Sequence, residues 1–204
     1  KDNTLSSRSL VGIIINSSNT IVVNEFVLFT NAEFGSVPIY DSKIIRLKND
    51  RILISVGISP NRYFKLSNDT TGQTYGASFL VNSDFIYSDN ITIVPFASNF
   101  ITLGTYYQAS PSQQTFRRYI SSTNTPTTQT NIITTALDLK VVTGTNDIGG
   151  LSNFCQIDAT SAIVCCSGLN PASKYVFLTT NSGSSFTELT GSPFTSTYTN
   201  DAFC

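Results

Sequence analysis

Apolar residues along this chain come in short clusters, β-branched or aromatic, bounded by Asn, Ser, Asp or Gly, as in VGIIINSSNTIVV, KIIRLKNDRILISVG and KYVFLTTNSG. This is the pattern of strands separated by tight polar turns, and no segment carries a helical period. An all-β fold follows.

A strand, polar turn, strand unit recurs as IINSSNTIVV (14–23), IRLKNDRILIS (45–55), IVPFASNFITLG (93–104) and CQIDATSAIVCC (155–166). Its second strands are expected to start near Ile21, Ile52, Ile101 and Ile163. An aromatic-rich third strand comes after each hairpin: EFVLFTN (25–31), RYFKLSN (62–68), FRRYISS (116–122) and KYVFLTTN (174–181). A fourth apolar stretch then follows in most units, for example GASFLVN (76–82) and NIITTALDL (131–139).

Four strands per repeat, with a repeat of roughly 40 to 50 residues, is the arrangement of β-propeller blades. The expectation is one β-propeller-type domain over residues 1–204, with about four blade-like repeats at 9–40, 41–90, 91–147 and 148–204. TNDAFC (199–204) matches LSNFC (151–155) in its place within the repeat, so a further unit starts there. Either that strand closes a ring on the first blade or, as we favour, the chain is part of a larger propeller. A β-solenoid is the alternative architecture.

Residues 179–186, TTNSGSSF, resemble the Asp-box or BNR repeat of sialidases, sortilin-type receptors and other propellers, in which Ser/Thr, Asp, Gly, Ser/Thr and an aromatic recur at fixed spacing. Thr179, Asn181, Gly183, Ser185 and Phe186 occupy those positions, with Asn in place of Asp. A looser copy, LSNDTTGQTY (66–75), supplies Ser67, Asp69, Gly72, Thr74 and Tyr75 with one extra residue before the glycine. FTNAEFGSV (29–37) and ISSTNTPTT (120–128) are more decayed versions. The residue types suit a turn: an Asn or Asp side chain accepts from the turn's amides, Gly tolerates positive φ, and the aromatic plugs the turn against the sheet. The resemblance implies a folding device at the blade periphery, not a ligand site.

The same family includes sialidases, and that resemblance implies three arginines clamping a carboxylate beside a Tyr–Glu pair and an acidic acid/base. The arginines available are Arg8, Arg46, Arg51, Arg62, Arg117 and Arg118, and the glutamates are Glu25, Glu33 and Glu188. Arg46 sits in IIRLKND, where the sialidase pattern expects Arg-Ile-Pro but Leu and Lys follow. Arg117 and Arg118 read as a solvated pair at a strand edge.

Composition narrows the function. Only 12% of residues are charged, 12 basic against 13 acidic, so the chain lacks the positive charge that nucleic acid requires. There is no His, Met or Trp, which removes the commonest general base and metal ligand, and no metal or cofactor is called for. The polar surface rests on Ser, Thr, Asn and Gln, as in secreted, cell-surface or virion-surface β proteins. No apolar run of about 18 residues could span a bilayer. With no signal-peptide pattern and Lys1 in place of Met, the chain reads as a processed or excised piece.

Four cysteines, Cys155, Cys165, Cys166 and Cys204, lie in the last third, an even number that suits disulfides in an extracellular setting. Cys155 is expected to pair with Cys165 or Cys166, while neighbours on a strand point to opposite faces, so the other is left for Cys204 or stays a buried thiol. Asn16, Asn68 and Asn90 head N-glycosylation sequons near turns, and SSTNTPTTQTN (121–131) is a Thr-rich stretch. The function expected is a non-enzymatic surface module for protein or glycan recognition and assembly. A sialidase-like exo-glycosidase, or a carbohydrate-binding relative without catalysis, is the alternative.

Overall fold

A computed structural model describes residues 10–15, 17–34, 39, 41–58, 61–82, 91–108, 113–126, 136–143, 151–167 and 174–191. Its strands are β1 (Leu10–Ile15), β2 (Ile21–Phe29), β3 (Asp41–Arg46), β4 (Ile52–Ile58), β5 (Asn61–Leu66), β6 (Phe79–Asn82) and β7 (Thr92–Pro95). They continue with β8 (Phe100–Gln108), β9 (Gln113–Ile120), β10 (Leu137–Thr143), β11 (Leu151–Gln156), β12 (Ala162–Ser167), β13 (Lys174–Thr179) and β14 (Thr187–Glu188).

The protein is all-β. Every described pairing is antiparallel and joins strands adjacent in sequence. The result is one two-stranded sheet, β1–β2, and three four-stranded meanders, β3–β6, β7–β10 and β11–β14, numbered sheets 1 to 4 in that order. Short turns explain how each sheet begins: its first two strands join at a polar turn such as Lys48–Asp50, where Asp50 takes φ 64°. Asp tolerates the left-handed region because its short polar side chain bonds locally.

Alternation along the strands builds the core. On β4, Leu53 packs toward sheet 3 while Ile54, Val56 and Ile58 pack toward sheet 1. On β8, Phe100 faces sheet 2 while Ile101 and Leu103 face sheet 4. Three apolar clusters result, one between each pair of consecutive sheets. Sheets 2 and 3 are therefore apolar on both faces, which is why their strands read as near-continuous apolar runs. The opening strands of sheets 2, 3 and 4 also come together, β3 against β7 and β7 against β11. Gln156 on β11 donates its side-chain amide to the Pro95 carbonyl on β7 at 2.7 Å.

Sheet 1 differs from its sequence reading. EFVLFTN is not a separate third strand but the end of β2, which runs unbroken from Ile21 to Phe29. Nothing between Val23 and Glu25 makes a turn, and register shifts against β1 absorb the irregularity. The decayed motif at 29–37 forms instead a short 3-10 helix at Asn31–Phe34. It is capped by Thr30, whose amide donates to Glu33 Oε2 at 2.7 Å while Glu33 N donates to Thr30 Oγ1 at 3.3 Å.

Candidate functional site: the turns that join the sheets

The turn after β13 is built by two side chains. Thr179 Oγ1 accepts from Gly183 N at 3.1 Å and donates to Asn181 Oδ1 at 3.1 Å. Asn181 Oδ1 also accepts from Ser185 N at 3.0 Å, and its Nδ2 donates to Ser185 Oγ at 2.7 Å. Gly183 sits at φ 79°, and a Cβ there would overlap the Ile101 methyl of sheet 3. Phe186 packs into the cluster between sheets 3 and 4.

The turn after β5 has an extra residue, and its Asp carries more of the load. Ser67 Oγ accepts from Ile52 N at 2.8 Å and donates to the Asp69 carbonyl at 2.6 Å. Asp69 Oδ1 accepts from Thr71 N, Thr71 Oγ1 and Gly72 N, and its Oδ2 accepts from Thr74 Oγ1. The Thr71 hydroxyl and amide hold the Asp69 carboxyl below the usual carboxylate range. Gly72 takes φ 69°, and Tyr75 stacks on Phe26 with ring centroids 6.4 Å apart. Burial and the Asp69 charge raise the Tyr75 pKa.

These turns do more than close a hairpin, because each reaches a neighbouring sheet. Asn99, in the β7–β8 turn of sheet 3, donates Nδ2 to the Ser182 carbonyl of sheet 4 at 3.2 Å. Asn49, in the β3–β4 turn of sheet 2, donates Nδ2 to the Asn124 carbonyl of sheet 3 at 3.0 Å. The same device thus occurs at two successive seams. Asn124 itself donates to the Ala97 carbonyl at 2.9 Å. Sequence reasoning missed Asn49 and Asn99 because Asn is common in every turn of this chain; the available signal was their recurrence in the hairpin loops. Farther out, Lys140 on β10 bonds Glu188 on β14 at 2.9 Å.

Open grooves lie along the seams. One of about 230 Å³ sits between Arg51, Leu66, Asn68 and Phe79 of sheet 2 and Pro126 of sheet 3. Another of about 190 Å³ lies between Leu137, Asp138 and Leu139 of sheet 3 and Phe177, Phe186 and Glu188 of sheet 4.

The arginines are engaged at separate places. Arg46 pairs with Asp50 in an exposed (i, i+4) bridge. Arg51 Nε donates to the Ser67 carbonyl at 2.5 Å, and buried Arg62 donates to Ser55 Oγ at 3.0 Å. Arg117 and Arg118 are not a solvated edge pair: they lie on β9, an interior strand. There Arg117 bonds both Asp138 oxygens, while buried Arg118 donates to the Ser184 carbonyl at 3.1 Å. Glu33 pairs with Lys65 at 2.8 Å. Arg8 and the Glu25 side chain lie outside the described residues.

No disulfide links Cys155, Cys165 or Cys166 to one another. The register gives the reason: Cys155 stands opposite Ile163 and Cys165 opposite Asn153, so the two meet only diagonally, and Cys166 packs on the other face. Burial pushes the Cys166 thiol well above its ordinary pKa. Cys204 lies outside the described residues, as do Asn16 and Asn90, whereas Asn68 is exposed. Among the described residues, no cluster of His, Cys, Asp and Glu could hold a metal ion, and no helix is long and apolar enough to cross a membrane.

No family model matches this chain, and no curated protein matches it.

Proposed function

We propose that the chain is a β-propeller segment of Asp-box type, serving at an extracellular, cell or virion surface as a non-enzymatic module for protein or glycan recognition and assembly. The observation that carries the reading is the succession of up-and-down meanders packed face to face with their opening strands together. Radially arranged blades meet in that way. The Thr179–Phe186 and Ser67–Tyr75 turns support it, since each folds around its own Asn or Asp. Propellers carry function on loops and seams instead of in the sheets. Here the groove by Arg51, Asn68 and Phe79 offers donors beside an apolar floor, a combination suited to a glycan or an acidic loop.

The non-catalytic half of the proposal rests on the arginines, whose described bonds go to turn carbonyls, a serine and carboxylates in separate parts of the fold. Incubation with a fluorogenic sialoside at high protein concentration is expected to release no fluorophore. Turnover abolished by an Arg62→Ala substitution would overturn this reading in favour of a glycosidase.

A further inference from the structure

Arg46 pairs with Asp50, Arg117 with Asp138, Lys65 with Glu33 and Lys140 with Glu188. Arg51 has no such match. It follows the β3–β4 turn, where its amide donates to Asn49 Oδ1 at 3.2 Å and its Nε donates to the Ser67 carbonyl. Among the described residues no carboxylate pairs with it, and its two Nη groups have no partner. Asp69, close by in the next turn, does not neutralise it, because both Asp69 oxygens accept from Thr71, Gly72 and Thr74. A guanidinium held through Nε keeps its Nη1–Nη2 edge free, two parallel N–H groups that a carboxylate accepts with both oxygens. The Nε bond also fixes the side chain beforehand, so less rotamer freedom is lost when that edge is used.

Arg51 lines the groove of about 230 Å³ between sheets 2 and 3. Apart from Asn68, the other side chains there are apolar: Leu66, Ala77, Phe79 and Pro126. Leu66 is buried, and Phe79 sits edge-on to Phe64 with ring centroids 6.2 Å apart, so this floor is fixed. Asn68 is exposed, and its side-chain amide makes no bond within the described fold, leaving a donor and an acceptor. The main chain beside it is already used: Asn68 N donates to the Thr74 carbonyl at 2.9 Å and Gly76 N to the Leu66 carbonyl at 3.0 Å. Recognition therefore falls to one cation, one amide and an apolar floor. The volume lies below the roughly 300–1,000 Å³ of sites for drug-sized molecules, so the groove takes about one side chain.

A matching ligand carries one carboxylate, one apolar group and one peptide group close together. In the last residue of a polypeptide these three branch from a single carbon. An internal Asp or Glu instead spends its side chain on the carboxylate, and in an extended peptide its neighbours point to the opposite face. We infer that the groove binds the C-terminus of a partner protein whose last residue is apolar. The α-carboxylate takes the Arg51 fork, the terminal side chain lies on Leu66 and Phe79, and the last peptide group meets the Asn68 amide. The inference rests on the recognition role proposed above and narrows the partner to a protein.

The test is a titration of the whole isotope-labelled chain, read by its backbone amide shifts. The probes are acetyl-alanyl-leucine as the free acid, the same dipeptide as its terminal amide, acetyl-leucyl-aspartate with an amidated terminus, and methyl glucuronide. The free acid is expected to bind saturably and to shift Arg51, Asn68, Gly76 and Phe79. Loss of the charged hydrogen bonds, through the amide probe or through Arg51→Gln, should weaken binding about ten-fold or more. Arg51→Lys, which keeps the charge without the fork, should fall between. Gly76→Leu should abolish binding with Arg51 intact, because the backbone there is not left-handed and a Cβ meets nothing closer than 3.7 Å, which lets the new side chain fill the groove. That variant and the acid–amide pair decide the matter even where Arg51→Gln fails to fold. Equal affinity for acid and amide, undiminished binding by Gly76→Leu, or no binding of any probe would overturn the site. Tighter binding of the amidated aspartate would make the partner an acidic loop, and binding of the glucuronide alone would make it a glycan. Either result overturns the terminus assignment and leaves the recognition module standing, whereas turnover of a sialoside would bring down the module reading itself.

Discussion

Gly183 and Gly191 both adopt positive φ, 79° and 94°, but only one is crowded. A Cβ at Gly183 would collide with Ile101 across the seam, whereas at Gly191 nothing lies within 4 Å. Left-handed backbone costs an ordinary residue roughly 1–2 kcal/mol, and overpacking adds about 1–3. Gly183→Ala should therefore destabilise by about 3 kcal/mol and Gly191→Ala by about 1, measured by urea unfolding. Equal losses would show that backbone conformation, not the seam contact, makes Gly183 necessary. Acid should also act residue by residue. The hydroxyl and amide of Thr71 hold Asp69 below its ordinary pKa, and the Thr160 amide and Ser161 do the same for Asp158. Burial alone would raise Glu33, but Lys65 and Thr30 prevail and lower it. A carboxylate with a depressed folded-state pKa stabilises fully above its unfolded value, and that gain is lost as pH falls through the folded value. The melting temperature should thus hold steady from pH 7 to about 5 and drop below about 4. Asp69→Asn should make the drop shallower, and an unchanged slope would remove Asp69 from the account.

At the scale of elements, much was legible. The short β-branched clusters of KIIRLKNDRILISVG mark β3 and β4, with Ile52 opening β4, because a strand with both faces buried still turns at LKND. EFVLFTN was misread because aromatic richness signals a strand but not where the previous one ends; Asn24 alone does not turn the chain. The Thr179 and Asp69 turns were visible because their side chains bond only a few residues away. The Asn49 and Asn99 bonds between sheets were not, since the Asn99–Ser182 bond spans 83 residues and depends on how sheets stack. Arg118 was misplaced for the same reason: what buries it arrives from sheet 4. Removing one partner of a half-buried hydrogen bond typically costs about 1–2 kcal/mol. Asn49→Ala and Asn99→Ala should each lower stability by about that much, and, because they serve different seams, the double variant should show the sum. Strong non-additivity by denaturant titration would mean that the seams do not act independently.

For the molecule as a whole, stability should grade with the number of neighbours each sheet has. Sheet 3 is covered on both faces, by Leu53 and Phe64 on one side and by Val164 and Phe177 on the other. Among the described residues, sheet 4 packs against a neighbouring sheet on one face, and sheet 1 does so on one face with two strands. In stacked repeats, local opening costs roughly the interfaces that must be broken, so an end unit opens more easily than an interior one. Amides of Ile101–Leu103 should therefore exchange most slowly, and those of β1 and β11 at least about ten-fold faster, a gap of about 1.4 kcal/mol. Uniform exchange across the sheets would mean that the four sheets open as one unit, and the graded stack would have to be abandoned.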